Sequence, residues 1–499
     1  MKRIVNGLGK LKCGKRACAV FAVCATTAIA LSAQTFTTLH IFDGTDGANP
    51  QFRLIQAANR DFYGTTYGGG ASDACGPQRC GTVFKITPSG ELTTLYSFCA
   101  RSACTDGMEP DAVLVQATNG DFYGTTAAGG GTNYGGTVFK ITPAGTLTTL
   151  YSFCSQSRCP DGSRPLGGLV QATNGDFYGI TQQGGANCVL GDGCGTIFKI
   201  TPSGTLTTLY SFCSQGGLCP DGSYPARGLV QATNGDLYGT TANGGANLDG
   251  TVFKITPTGT LTTLYSFCSQ SGCTDGAYPY GGLVQATNGD LYGTTAGRGA
   301  ASYGGTVFKI TPSGTLTTLY SFCSQSGCTD GSDPMGGLVQ AADGDLYGTT
   351  KQGGANDNCA GRLPGCGTIF KITPTGTLTT LYSFCAQRGC TDGAHPYAAL
   401  VQATNGDLYG TTLEGGAGDA CGIPQGCGTV FRVGKAVRIL GTNLIGATSV
   451  TSNGTAAAFT VMAPSPITTT VPTGATSGKV KATAPDGTLL SNVAFTVRP

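Results

Sequence analysis

The motif D-x-Y-G-[TI]-T occurs seven times in this chain, and no other feature restricts its fold as strongly. The tyrosines are Tyr63, Tyr123, Tyr178, Tyr238, Tyr292, Tyr347 and Tyr409, spaced 54 to 62 residues apart. Each copy follows an L-[IV]-Q-A segment, from Leu54-Ile55-Gln56-Ala57 to Leu400-Val401-Gln402-Ala403. Each precedes G-T-[VI]-F-[KR], which begins at Gly81, Gly136, Gly195, Gly250, Gly305, Gly367 and Gly428. The first six of these lead into T-T-L-Y-S-F, as at Thr93 to Phe98. Recurrent words in fixed order at such a period are the mark of a repeat architecture.

Each unit therefore supplies four short β-rich runs broken by turn residues. With 82 glycines in 499 residues long helices are excluded, since an interior glycine costs roughly 1 kcal/mol against alanine. The first and second runs are joined by T-N-G-D, which predicts a type I′ hairpin turn. The third and fourth are joined by T-P-x-G, where proline presets φ and glycine relaxes the turn. Four antiparallel strands in each of seven units predict an all-β fold, a seven-bladed β-propeller. A β-helix would need a much shorter period.

The fourth runs are distributed unevenly, and this predicts how the ring closes. The seventh unit has no T-T-L-Y-S-F after Phe431, whereas an orphan copy, Thr37-Thr38-Leu39-His40-Ile41-Phe42, stands at the N-terminus with no other run before it. Pairing the orphan with the third run of the seventh unit removes the last free edge. The repeats end near Gly434, and short patterns such as Val437-Arg438-Ile439-Leu440, Ala458-Phe459-Thr460-Val461, Ile467-Thr468-Thr469-Thr470-Val471 and Val493-Ala494-Phe495-Thr496-Val497 predict a small Ig-like β-sandwich. The expected division is a signal peptide over 1–33, the propeller over 34–433 and the Ig-like domain over 434–499.

The first 33 residues carry Lys2, Arg3, Lys10, Lys12, Lys15 and Arg16 and no acid, then an apolar run from Ala17 to Leu31 and a cleavage-like Leu31-Ser32-Ala33-Gln34. The run is too short to span a bilayer as a helix, and no later segment is hydrophobic enough to do so. Without this segment 23 basic residues face 27 acidic ones, so nothing in the charge favours nucleic acid or anionic lipid. The expected destination is outside the cytoplasm, in the periplasm, at the cell surface or beyond, where thiols can pair.

Cysteine spacing supports that destination independently. Beyond Cys13, Cys18 and Cys24 the cysteines form ten close pairs. Six follow Ser-Phe: Cys99/Cys104, Cys154/Cys159, Cys213/Cys219, Cys268/Cys273, Cys323/Cys328 and Cys385/Cys390. Four lie between the second and third runs: Cys75/Cys80, Cys188/Cys194, Cys359/Cys366 and Cys421/Cys427. Where that loop is short both members are missing together, as disulfide partners would be. Zinc is the rival, but only His40 and His395 are present and no partner pairs are suitably spaced, so no metal and no cofactor is expected.

The unit L-V-Q-A-T-N-G-D-x-Y-G-T-T followed by G-T-V-F-K-I-T-P-x-G-T-L-T-T-L-Y-S-F resembles the GloVer tandem repeat of exported bacterial proteins, over roughly Gln34 to Val433. The tail, Arg438-Ile439-Leu440-Gly441-Thr442-Asn443-Leu444 and then Val471-Pro472-Thr473-Gly474-Ala475-Thr476-Ser477-Gly478, is similar to IPT/TIG immunoglobulin-like modules. It lacks the strand and Pro-x-Ser-Gly turn that normally open one. The resemblance implies an envelope or secreted protein without an established activity.

Candidate site residues must stand outside the repeat consensus. The Asp of D-x-Y-G, the Lys or Arg of G-T-x-F and the Asp of [TP]-D-G recur in every unit, which suits a framework role better than one active centre. A calcium ring on the last set would supply one carboxylate per loop, short of the six to eight oxygens calcium takes. In an up-and-down sheet the connections between second and third runs (2–3) and from the fourth run into the next unit (4–1) share one end, and every cysteine pair lies there. Residues after the proline of the 4–1 connection, Gln51, Asp111, Leu166, Ala226, Tyr280, Met335 and Tyr397, differ from unit to unit as a ligand site would. The expected protein is a monomeric, non-enzymatic scaffold binding a glycan or surface protein through this face. The alternative is a propeller-type hydrolase or lyase acting on an extracellular polymer or lactone.

Overall fold

A computed structural model describes residues 34–499 except 73, 77–79, 132, 187–193, 302, 358, 360–364, 417–420, 422–425, 440–447, 453, 458, 462–466, 471–478, 485–486 and 491–499. The signal segment, Cys188, the first stretch of the tail motif beyond Ile439 and the Val493–Val497 pattern lie outside the described residues. The described chain is all-β. Its only helical turns are single 3-10 turns such as Ser102–Cys104, and no helix is long and apolar enough to cross a membrane.

Each of the first six repeats forms one four-stranded antiparallel sheet in sequence order, and the seventh contributes three strands to a larger sheet. In the first unit the strands are Ile55–Gln56, Phe62–Thr66, Thr82–Ile86 and Leu92–Ser97. The second strand is buried along its whole length and the fourth is half-exposed, so the core lies between sheets. Seven apolar clusters each join consecutive sheets, for example Tyr63, Val83 and Phe98 of the first unit with Leu114, Phe122 and Phe139 of the second. One of them joins the seventh unit to the first, through Tyr409 and Val430 with Leu54, Phe62 and Phe84. The contacts therefore run in a closed cycle.

The N-terminal strand Gln34–Ile41 completes the seventh sheet. It pairs antiparallel with Thr429–Ile439, Phe36 opposite Val433, Thr38 opposite Phe431 and Ile41 opposite Thr429. The register slips at Leu39, as it slips at Leu95 where Phe84 faces Thr94 and Val83 faces Tyr96. The orphan segment thus reproduces the fourth strand of an ordinary unit, bulge included. Phe42 is fully buried and meets Phe84 edge-on at 5.3 Å, as Phe98 meets Phe139 and Phe384 meets Phe431.

A glutamine girdle closes the same cycle. The Gln116 Oε1 accepts from the Ala58 N–H of the preceding unit at 3.1 Å, Gln171 from Thr118, Gln231 from Thr173, and so on to Gln402 from Ala342. Gln56 then accepts from Thr404 at 2.8 Å, across 348 residues of sequence. The invariant Gln of L-V-Q-A is therefore a link between units.

The hairpin joining the first two strands departs from the expected type I′ turn. Gly120 N–H donates to Ala117 O at 2.9 Å and Ala117 N–H to Asp121 O at 2.9 Å. Glycine is left-handed (Gly120 φ 86°) while Asn119 is not, which makes a type I turn followed by a glycine bulge. The Asn Oδ1 instead accepts the Asp121 N–H at 3.0 Å, and this local bond holds it in place.

Beyond the repeats, Thr429–Ile439 continues without a break across 433/434 and pairs with Ile467–Thr470. A second small antiparallel sheet contains Ser449–Ser452, Thr455–Ala457, Val480–Ala484 and Gly487–Leu490.

Removing residues up to Phe42 from the mature chain should uncover the Thr429–Val433 edge and the Phe62/Phe84 face. Loss of a buried Phe alone costs about 3–5 kcal/mol. The expected product elutes as aggregates or strand-exchanged dimers in size-exclusion chromatography. A monomer as heat-stable as the parent would show that closure is dispensable.

Candidate ligand-binding face

The framework residues engage one another. The Asp of the [TP]-D-G segment, buried as Asp106, Asp221, Asp275, Asp330 and Asp392, accepts from the tyrosine of the preceding fourth strand and from loop N–H groups: Tyr96 O–H to Asp106 at 2.8 Å, with the Ala100 N–H at 2.9 Å. Tyr265 and Asp275 repeat this at 2.8 Å, and Tyr382 and Asp392 at 2.7 Å. At the closing strand His40 replaces the tyrosine and its Nε2 lies 2.6 Å from Asp46. On the tight-turn end, Lys199 pairs with Asp176 and Lys254 with Asp236, both at 3.7 Å. These sevenfold sets are accounted for by the fold.

The opposite end carries the staples. Disulfides join Cys75–Cys80, Cys99–Cys104, Cys154–Cys159, Cys213–Cys219, Cys268–Cys273, Cys323–Cys328, Cys359–Cys366, Cys385–Cys390 and Cys421–Cys427. Cys194 is disulfide-bonded too, and its expected partner Cys188 lies outside the described residues. The sulfurs of Cys75, Cys80, Cys99 and Cys104 gather within 4.8 Å of one another. As disulfides they are not the thiolates that a metal would need.

The proline of each 4–1 connection organises the variable positions. The residue before it is left-handed in all seven units: Asn49, Glu109, Arg164, Tyr224, Tyr278, Asp333 and His395 have φ between 52° and 57°. Hydrogen bonding imposes this conformation. The Glu109 N–H donates to Cys80 O at 2.9 Å and the Glu109 carbonyl accepts from Ala127 at 2.8 Å, and Asp333 and His395 repeat the pattern. A non-glycine residue there costs on the order of 1 kcal/mol, so constant geometry with changing side chains is a platform that presents different groups from one backbone. This set was not singled out from the sequence. The signal was present as a column, N, E, R, Y, Y, D, H, directly before a constant proline and directly after a constant Asp-Gly-x.

The seven post-proline residues do not contribute equally. Gln51, Asp111, Leu166, Tyr280, Met335 and Tyr397 are half-buried. Ala226 is buried at 6% exposure inside the strand Ser223–Gln231 and presents no side chain to the face, because that strand starts early and pairs Ala226 with Thr240. Tyr397 is covered by Arg227, whose guanidinium carbon lies 4.3 Å above its ring and 4.7 Å from the Phe52 ring. Arg227 also donates to Gln51 O and Tyr397 O, each at 3.4 Å. This arginine of the fourth unit thus reaches residues of the first and seventh, and it stands where the third, fifth and sixth units have Gly167, Gly281 and Gly336.

Two polar groups result. Asp111 has Arg227, Arg164 and Glu109 within electrostatic reach, and Tyr67 faces Glu109 and Asp111. Burial pushes the Asp111 carboxyl up to about 6 against the opposing pull of the two arginines. Its Oδ1 is enclosed without a hydrogen-bond partner. In the second group His395, 4% exposed, has Nδ1 2.9 Å from Glu414 Oε2, and its Nε2 is enclosed and unpaired. Burial raises the neighbouring Asp333 above the usual carboxylate range, opposed by Lys351 and His395. Tyr280, raised by burial, has Tyr397 and Asp333 near it.

Because the folded Asp111 holds its proton to higher pH than the unfolded chain, stability should fall as pH rises from about 4 to about 6 and level off above. Asp111→Asn should therefore stabilise the protein at pH 7.5 by roughly 1–3 kcal/mol, allowing for partial exposure, and change little at pH 3.5. Thermal or urea unfolding at the two pH values measures this, and equal effects at both would refute the assignment.

The family model described as Gloeobacter/Verrucomicrobia repeat matches residues 24–223, 191–431 and 328–465. No curated protein matches the chain. Among solved structures, the extracellular domain of a hybrid two component system from B. thetaiotaomicron is similar at 9% identity and a TM-score of 0.49, over 93% of this chain and 47% of that one. The chain thus spans about half the length of that relative. A fungal AA5-family alcohol oxidase in complex with copper has 12% identity and a TM-score of 0.49, over 93% of this chain and 100% of that one. An α-L-arabinanase of Penicillium chrysogenum complexed with arabinobiose has 11% identity and a TM-score of 0.41, over 80% and 98%. With its repeats matched from residue 24 to residue 465, the chain belongs to the Gloeobacter/Verrucomicrobia repeat family.

Proposed function

We propose that the chain is an exported seven-bladed β-propeller with a shortened Ig-like tail, acting as a non-enzymatic scaffold that binds a glycan or protein through its stapled loop face. One observation carries this: the positions that vary between units lie on one end, whereas the invariant positions bond one another. All four large hydrophobic side chains that stand exposed among the described residues, Tyr134, Leu218, Leu248 and Tyr303, also lie in 2–3 or 4–1 connections. Variable side chains on loops held by a rigid frame are the usual construction of a binding surface. The closed cycle of sheet contacts supports the propeller, and the disulfides and the leader-like N-terminus support export.

The alternative, a hydrolase or lyase acting on an extracellular polymer or lactone, draws support from Asp333, His395 and Glu414, since a carboxylate-backed imidazole is a general-base arrangement. Against it, the enclosed His395 Nε2 offers a substrate no approach.

A glycan-array and surface-protein screen of the purified mature chain tests the proposal. Tyr280→Ala should weaken whatever ligand is found by about 2 kcal/mol, whereas Asn174→Ala and Ser203→Ala in the tight turns should leave affinity unchanged. Equal affinity across all three by calorimetry would move the site to the Ig-like tail.

A further inference from the structure

We propose that the part of this face formed by Tyr67, Glu109, Asp111, Arg164 and Arg227 seats a neutral saccharide, with the Asp111 carboxylate accepting hydrogen bonds from its hydroxyl groups. The inference rests on the binding-scaffold reading and deepens it.

Asp111 is the focus because the protein leaves it unsatisfied. Two guanidinium groups lie within electrostatic reach, yet neither forms an ion pair with it, and no protein donor bonds its carboxylate among the described residues. Arg227 is held away by the carbonyls of Gln51 and Tyr397 and by the rings of Phe52 and Tyr397. Arg164 is exposed and projects from a left-handed pre-proline position. A half-buried carboxylate without donors is costly in a folded protein, and a ligand that supplies donors removes that cost. Oδ1 is enclosed, so Oδ2 is the atom assigned here to a ligand hydroxyl.

The surroundings select the ligand class. Glu109 and Asp111 balance Arg164 and Arg227 in charge, so this part of the face offers no net charge to a polyanion or a polycation. The group combines carboxylate acceptors with guanidinium and phenol donors, which a polyhydroxylated molecule meets without carrying charge. A protein partner would instead call for a contiguous apolar patch. Here Tyr134, Leu218, Leu248 and Tyr303 lie in four separate loops, in the second unit, the connection from the third to the fourth, the fourth unit and the fifth. The tyrosines offer ring area for a sugar face at small entropic cost.

Titration calorimetry with cellohexaose, laminarihexaose and xylohexaose tests this, with hexagalacturonate and hexaglucosamine as charged controls, at pH 7.5 and pH 5. The expected result is binding of at least one neutral probe at pH 7.5 and none of the controls more tightly. Asp111→Asn should weaken it tenfold or more, as loss of a charge-assisted hydrogen bond does. Wild-type affinity should fall roughly tenfold at pH 5, where about a tenth of a carboxyl titrating near 6 stays ionised, while Asp111→Asn should be indifferent to pH. Glu109, Arg164, Arg227 and Tyr67 are the other charged or titratable groups facing Asp111. Arg164→Gln, at an exposed side chain, should weaken binding yet keep the pH dependence. Neutral probes that bind Asp111→Asn as well as wild type would overturn the inference and leave the scaffold reading standing. So would preference for a charged control, or binding of a protein with none of the neutral sugars. Sugar affinity insensitive to Asp111→Asn and Tyr280→Ala alike would overturn both.

Discussion

Each sheet of the repeat region buries its faces against its neighbours in the cycle, so that region depends on the cycle being closed. An open array would leave Phe62, Phe84 and Leu54 of the first unit and Tyr409 and Val430 of the seventh without cover. Burying one such aromatic contributes about 1.5–3 kcal/mol, and the seam gathers several. Strand Gln34–Ile41 supplies the missing cover together with the last ladder of hydrogen bonds. The bond between Gln56 and Thr404 repeats the closure at the other end of the sheets. Once closed, the ring makes the termini of the repeat region neighbours in one sheet and gives every unit the same surroundings. Seven near-identical sequences can then satisfy seven near-identical environments.

Much of this was legible in the sequence because it is encoded in local words. Strand positions, the cysteine pairs and the displaced fourth strand are all readable as repetition. Turn chemistry was only half legible. T-N-G-D signals a hairpin, yet whether Asn becomes left-handed depends on the register of the flanking strands, and here the Asp121 N–H holds the Asn side chain while glycine alone turns. The pre-proline ring was hidden for a related reason. Glutamate, tyrosine or histidine in a left-handed conformation is no local preference, and it arises only where acceptor and donor come from two separate loops, as Cys80 ahead of Thr82–Ile86 and Ala127 after Phe122–Thr126 do for Glu109.

The candidate site was legible only as a list of variable positions. Ala226 and Tyr397 look equivalent in the sequence, but one is sealed in a strand and the other lies beneath a cation. The residue that distinguishes them, Arg227, is the one charged residue in a column that otherwise reads Phe, Ala or Gly, and its partners lie 170 and 176 residues away. No periodicity announces such a contact, because only ring closure brings the first and seventh units to the fourth.

Arg227 also explains why a carboxylate stays unpaired beside two arginines. A guanidinium bonded to two carbonyls and set over two rings has two of its five donors and its flat face committed, so moving it towards Asp111 would break four contacts to make one. Desolvation then acts on Asp111 with only distant cations to oppose it, which is why burial outweighs their pull. The strained pre-proline backbone at Glu109, two residues before it, adds to the unfavourable balance. Such unfavourable terms persist where surrounding structure over-determines them, and seven mutually bonded framework sets supply that here. The division of labour follows from symmetry: residues that satisfy one another around the ring are free to repeat, and the few that do not, on the one face where repetition breaks, are left to be satisfied from outside.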